Sequence, residues 1–340
     1  MPPASLDSSF DPDGPAPDGT LFGLPHSLGD ARVRVLPVPW DATASSGLGT
    51  AGGPAAVLAA SAQVDLFDRR YGEAWRAGFA LDEAPAAAAI ALEMQAAAGA
   101  ARAGDEAALV AVNAAGARLH EQVADWVRAQ LRDGAIPAVL GGDHSVASGA
   151  IVAAAGQHGG LGVLHVDAHA DLRDAYEGFR WSHASVMHNV LALSDASLSS
   201  VGLRDLGHAE HRRIESDPRI HAVFDDELAA AAAAGQPWGA LLDRAVAALP
   251  DVVWVSFDID GLDPALCPGT GTPVPGGLSW HQATELLAKL AASGRRVVGF
   301  DLCEVGPGPA DALVAARLLY QLGASAIASQ LASEVRHVRP

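Results

Sequence analysis

The stretch Asp167-Ala-His169-Ala-Asp171 carries the densest chemistry in the chain. Spacing by two puts its three ionisable side chains on one face of an extended segment. Crowded this way they repel one another or lose solvation unless a cation compensates them, although a solvated polar edge has the same spacing. Ser256-Phe257-Asp258-Ile259-Asp260 repeats the device with two carboxylates, a pattern that also caps loops. Gly141-Gly142-Asp143-His144-Ser145 presents one imidazole on a loop whose glycines allow close approach; a lone histidine there also serves structural roles. Taken together, His144, Asp167, His169, Asp171, Asp258 and Asp260 make an oxygen-rich site with two imidazoles and no thiolate. One ion would be overcharged by four carboxylates, whereas two ions sharing carboxylates are balanced. Such a donor set suits manganese, with nickel as the alternative. Paired ions commonly activate water, so a hydrolase is expected.

The elements that must position these residues read as alternating strands and helices. Apolar, β-rich runs fall at 33–38, 136–140, 161–166, 198–203, 220–224, 252–257 and 296–302. Several are apolar on both faces, as buried parallel strands are. Helical stretches include 106–132, 227–249, 280–292 and 309–333, with Gly134 and Pro137, then Gly235 and Pro237, as stop or turn signals. The pattern predicts a three-layer α/β/α fold around a mainly parallel central sheet. The polar clusters, and Glu304 after the last run, all follow strand ends, where open α/β sheets bind ligands.

Composition narrows the partners. Lys plus Arg number 22 against 40 Asp plus Glu, a formal charge of −18. That surface repels phosphate backbones and anionic membranes and attracts cations, so no nucleic acid and no membrane partner is expected. Half the residues are hydrophobic and 18% are charged, which excludes a disordered chain. Two cysteines, Cys267 and Cys303, make neither a disulfide framework nor a thiolate zinc site, and are read as packing residues. Residues 1–30 are rich in turn formers and read as a tail or arm, and residues 31–340 as a single domain. Met1 to Asp18 lacks a basic start and an apolar core, so no signal peptide is expected and the location is read as cytoplasmic.

These motifs, with Pro268-Gly-Thr-Gly-Thr-Pro-Val-Pro-Gly-Gly277, Trp40-Asp-Ala-Thr43 and the 256–264 run ending Asp260-Gly-Leu-Asp-Pro264, resemble the arginase/agmatinase ureohydrolase family. The similarity runs from about residue 31 to 335. It implies an arginase-like fold and two Mn2+ per subunit, Ni2+ being the alternative. His144, Asp167, Asp171 and Asp258 would hold one ion, and Asp167, His169, Asp258 and Asp260 the other. A water activated between them would attack a guanidinium carbon, releasing urea and an amine. Glu304 would grip the guanidinium, a pairing that suits the planar fork. Asp171 would pass a proton to the leaving amine, and His183 would shuttle protons from a loop. His165 shares the strand parity of His169, yet the family pattern does not use it as a ligand; it is expected to be a buried, hydrogen-bonded histidine. The resemblance also implies a homo-oligomer, trimer or hexamer.

Within the family, arginases follow the Asp-His-Asp motif with an Asn and a Ser-Gly-Asn-x-His-Gly loop. Here the 171–183 segment has Arg173 near the Asn position and lacks that loop, and Gly207 stands near an amine-binding aspartate. The pattern is similar to the agmatinase branch and a small cationic guanidino substrate, agmatine first. Guanidinobutyrate, guanidinopropionate and free guanidine stay open, as does Arg173, which would meet a substrate carboxylate or pair with Asp174 or Glu177. Phe179 and Trp181 are expected to wall the pocket. Rival readings are formimidoylglutamate hydrolysis, a non-catalytic partner subunit, and a single-zinc deacetylase-like hydrolase.

Overall fold

The computed structural model describes residues 10–17, 19–46, 48–83 and 85–338. Its strands are β1 (Val33–Val38), β2 (Phe79–Leu81), β3 (Ile136–Gly141), β4 (Gly162–Val166), β5 (Ser197–Leu203), β6 (Ile220–Phe224), β7 (Val252–Asp258) and β8 (Arg296–Cys303). They form one eight-stranded sheet in the order β2-β1-β3-β8-β7-β4-β5-β6, parallel at every pairing. The helices are α1 (Gly53–Ser61), α2 (Pro85–Arg102), α3 (Glu106–Arg132), α4 (Ala147–His158), α5 (Val186–Leu193) and α6 (His208–Ser216). After them come α7 (Asp225–Ala233), α8 (Gly239–Ala247), α9 (Trp280–Ala292) and α10 (Pro309–Val338).

Parallel strands need crossovers, and the helices that make them cover both faces of the sheet. Strand alternation feeds both layers. Val253, Val255 and Phe257 belong to the core under α9 and α10, while Trp254 belongs to the core under α2 to α5. Because all strands run one way, their carboxyl ends share one edge. The four motif-bearing strands, β3, β8, β7 and β4, are adjacent in the middle of the sheet. The expected three-layer fold is therefore present, and its topology sets the polar clusters side by side.

Differences from expectation are local. The 227–249 helix is two, α7 and α8, broken where Gly235 takes a positive φ of 65° ahead of Pro237. Strand β2, three residues long, is too short to leave a pattern. Within the stretch expected to be a tail or arm, Leu21, Phe22 and Leu24 are buried, and Phe22 packs edge-on to Phe79 and Tyr320. Residues 1–9 of that stretch lie outside the described residues. The apolar span Pro309–Ser333 has the length and composition of a membrane span, yet 72% of its most apolar window is buried inside the protein.

Helix α4 crosses α3 closely at Gly149, where an added Cβ would lie 2.3 Å from the His120 carbonyl oxygen. At Gly156, on the same helix, a Cβ would meet nothing within 4 Å. Urea denaturation should show Gly149→Ala destabilised by about 1–3 kcal/mol or more. Gly156→Ala should be neutral or stabilised by up to about 1 kcal/mol. Equal effects at the two positions would contradict the close crossing.

Candidate metal centre

The polar side chains converge at the carboxyl edge. Beyond β3, Gly142 sits against the chain leaving β1, where a Cβ would lie 2.0 Å from the Trp40 carbonyl oxygen. Asp143 accepts bonds from the Thr43 amide (3.0 Å) and hydroxyl (2.8 Å) and from the Ser145 amide (3.1 Å), and so pins the loop. That leaves His144 facing inward. Beyond β4, Asp167 places one carboxylate oxygen 3.3 Å from His144 Nδ1 and the other 3.4 Å from His169 Nδ1. His144 Nδ1 also lies 3.1 Å from Asp171 and 3.5 Å from Asp258. His169 Nδ1 lies 3.1 Å from Asp260, whose carboxylate is held by Thr272 Oγ1 (3.1 Å) and the Ala168 amide (3.1 Å). All six residues expected to be ligands therefore meet around two imidazole nitrogens.

Two of the acidic residues stand on strained backbone. Asp171 and Glu304 have φ of 53° and 61°, left-handed conformations that non-glycine residues rarely adopt. Such strain collects at functional sites. At Glu304 the turn is fixed by its amide donating to the Gly142 carbonyl (2.7 Å) and by Thr270 donating to its own carbonyl (2.9 Å). One Glu304 carboxylate oxygen accepts the His144 amide (2.9 Å), and the side chain has no cationic partner among the described residues.

The electrostatics follow from burying this much acid. Burial, then the neighbouring carboxylates, raises the pKa of Asp258 and Asp260, and burial, then Asp167, raises Asp171 to about 6. Glu304 is held well above the usual range by burial and Asp143. Burial opposes charge on the imidazoles, but the carboxylates prevail. His144 is held well above its ordinary value by Asp167, Asp171 and Asp301, and His169 is pushed up to about 12 by Asp167 and Asp260. Burial resists ionisation of Asp167 too, yet His144, His165 and His169 hold it well below the carboxylate range. The cluster thus draws positive charge inward. Four carboxylates and two imidazoles turning the same nitrogen toward them are a donor set that fits two divalent cations.

Other expected residues fall as follows. His183 lines the cleft outside this cluster, its Nδ1 2.8 Å from the Thr43 carbonyl and its Nε2 3.2 Å from Ser45 Oγ. His165 is fully buried between Ser200 Oγ (3.1 Å) and Asp167 (2.9 Å), a hydrogen-bonded histidine as expected. Cys267 and Cys303 are buried free thiols whose pKa burial raises. The cleft, about 170 Å³, is lined by His169, Asp171, Tyr176, His183, Asp205 and Thr272 among others. Neither Phe179 nor Trp181 walls it: Phe179 is buried in the core, and Trp181 packs on His120, with ring centroids 4.4 Å apart. Arg173 pairs with neither Asp174 nor Glu177; it reaches the buried Glu210 (3.5 Å) and stacks over Tyr176 (4.7 Å). Asp174 is taken by His188 (3.1 Å).

Sequence reading missed Tyr176, Asp205, Thr272 and Asp301. The first three come to the cleft through loops with no periodicity to read. Asp301 did leave a signal, a charge inside the apolar β8 run Arg-Val-Val-Gly-Phe-Asp-Leu-Cys, since a buried charge demands partners.

Comparison with known proteins places the chain. The profile described as "Arginase family" matches residues 31–327. The chain is 33% identical over 322 residues to N(1)-aminopropylagmatine ureohydrolase of Thermus thermophilus, covering 91% of this chain and 96% of that protein. It is 31% identical over 283 residues to the protein of the same name from Synechocystis sp., covering 83% of each. Agmatine ureohydrolase of Thermoplasma volcanium shares the fold, with a TM-score of 0.69 at 24% identity over 90% of this chain and 93% of that one. The chain belongs to the arginase family. Within it, this is an agmatinase-like ureohydrolase, a hydrolase acting on C–N bonds of amidines.

Burial lowers the pKa of His183 to about 4, against the Thr43 carbonyl that favours its charged form. A ring-proton NMR titration should find His183 neutral at pH 6, and a midpoint near the ordinary imidazole value would contradict its burial. The folded pKa lies below the unfolded one, about 6.5. The neutral ring's contribution to stability is therefore complete above pH 6.5 and is lost as pH falls toward 4. His183→Asn should flatten that part of the profile.

Proposed function

We propose that this ureohydrolase hydrolyses a guanidino compound with a cationic far end, agmatine foremost, to urea and an amine. The observation that carries the reading is Glu304, a buried carboxylate on strained backbone beside the convergent cluster, without a cationic partner among the described residues. A guanidinium supplies what that site lacks, a planar cation donating paired hydrogen bonds. His144, Asp167, Asp171 and Asp258 would hold one ion, and Asp167, His169, Asp258 and Asp260 the other. Asp167 supports the shared role, with one oxygen toward each imidazole. Two divalent ions bound there supply an acidified water and an electrophilic field at the substrate carbon. The carboxylate-rich donor set favours Mn2+, with Ni2+ as the alternative.

The chain's own residues divide the remaining work. Glu304 orients the guanidinium. Asp171, adjoining both the cluster and the cleft, donates a proton to the departing amine. His183, neutral at physiological pH, carries protons between cleft and solvent.

The far end of the substrate is read from the cleft. Arg173 is engaged by Glu210 and Tyr176, whereas Asp205 makes no ion pair among the described residues. The cleft thus offers a carboxylate, which favours an amine-ended substrate over an acid-ended one. The formal charge of −18 supports a protein with no nucleic-acid or membrane partner. The sequence resemblance supports a homo-oligomer, trimer or hexamer, which light scattering tests.

Urea release from protein loaded separately with Mn2+ and Ni2+ tests the reading on agmatine, guanidinobutyrate, guanidinopropionate, arginine and free guanidine. Agmatine should turn over best. A preference for guanidinobutyrate would mean that Arg173 leaves Glu210 to meet a carboxylate, and no urea from any compound with two metals bound would overturn the proposal. Asp258→Asn should lose both activity and bound metal, and full activity in that variant contradicts a shared ligand. Glu304→Gln should keep its metals and lose at least about 100-fold in turnover; unchanged kinetics would place the guanidinium elsewhere.

A further inference from the structure

Behind the candidate centre runs a buried polar chain with no part in the proposed reaction. His144 Nε2 lies 2.9 Å from Ser256 Oγ, and Ser256 Oγ lies 2.9 Å from Asp301 Oδ1. Asp301 Oδ2 accepts the Trp254 indole N–H at 2.6 Å. Trp254, Ser256 and Asp301 are fully buried, and His144 nearly so, which leaves little room for water to exchange these partners. Strand register lays the chain down. Ser256 on β7 pairs with Asp301 on β8, while Trp254 pairs with Gly299, whose missing side chain makes room for the indole.

We infer that Asp301, acting through Ser256, keeps a proton on Nε2 of His144 and so decides that Nδ1 is the ring nitrogen that gives up its proton to a cation. The argument is one of donors and acceptors. A carboxylate only accepts, so the Ser256 O–H points at Asp301. Were it to point at His144 instead, two oxygens would face each other at 2.9 Å with no proton between them. Its proton so committed, Ser256 presents a lone pair to the imidazole, and Nε2 must donate. Nε2 therefore keeps its proton, so the one a cation would displace is the proton on Nδ1, which faces Asp167, Asp171 and Asp258. Outer-shell partners of this kind orient ligating histidines generally. Asp301 and Ser256 are thus positioning residues, and their role rests on the proposed reading of His144 as a ligand.

The test is Mn2+ binding to metal-stripped full-length protein, followed by equilibrium dialysis and metal analysis, with folding checked by circular dichroism. Ser256→Ala and Asp301→Asn should weaken one of two Mn2+ by about 10–100-fold and leave the other in place. Asp301→Asn is nearly isosteric; it removes the carboxylate's charge and, because an amide can donate to Ser256, also reverses the hydrogen-bond polarity, whereas Ser256→Ala breaks the chain with the charge kept. Ser256→Thr keeps the hydroxyl and should retain wild-type affinity. Trp254→Phe keeps the carboxylate and its bond to Ser256, so it should lower stability without lowering Mn2+ affinity. Wild-type affinity for both ions in Ser256→Ala and Asp301→Asn overturns the inference. Loss of Mn2+ affinity in Trp254→Phe equal to that in Asp301→Asn does so too, since a general loss of packing would then explain both. His144→Ala separates the two levels: if it also binds two Mn2+ at wild-type affinity, His144 is no ligand and the reading beneath the inference fails.

Discussion

The structure depends on holding like charges together out of water. Asp167, Asp171, Asp258, Asp260 and Glu304 are all buried at one edge of the sheet. Two like charges about 4 Å apart repel by about 4 kcal/mol even at the effective dielectric of a protein. Left alone, such a cluster would take up protons or push its loops apart. It is restrained by a fixed frame: backbone amides on the carboxylates, threonine hydroxyls on Asp143 and Asp260, and imidazoles turned inward. The same crowding that destabilises the cluster gives it affinity for cations.

The frame is the parallel sheet. Its four central strands end together, so residues far apart in sequence arrive at one place without long loops. Rigid strands bring Asp167 and Asp258, while the single turn after β7 brings Asp260 to His169. Where a strand end aims the wrong way, the backbone bends into the left-handed region, at Asp171 and at Glu304. That strain is retained where side-chain direction matters more than local stability.

Much of this was legible in the sequence because it rests on short-range regularities. Two-residue spacing marked Asp167, His169 and Asp171 as one group, and unbroken apolar runs marked the buried strands. The helices over 106–132 and 280–292 announced themselves by length, and in the structure Asp105 and Ser279 cap them. The cleft was less legible. Tyr176, on the loop that carries Arg173, and Glu210, on α6, meet Arg173 only through the fold, whereas its acidic neighbours in sequence are Asp174 and Glu177. Phe179 and Trp181 read as pocket walls because aromatics near a motif often are, yet Phe179 is buried in the core under α2 to α5 and Trp181 packs on His120 of α3. The burial of Leu21 and Phe22 depends on β2 and α10, which are distant in sequence.

At the centre stands the proposal that two cations would be held between His144 and His169, with Asp167 and Asp258 as ligands common to both. Anomalous diffraction from crystals of the manganese-loaded protein tests it directly. The account predicts two peaks roughly 3.5–4 Å apart, one beside each imidazole Nδ1. A single peak, or a peak seated among His144, Asp301 and Cys303 instead, would contradict it.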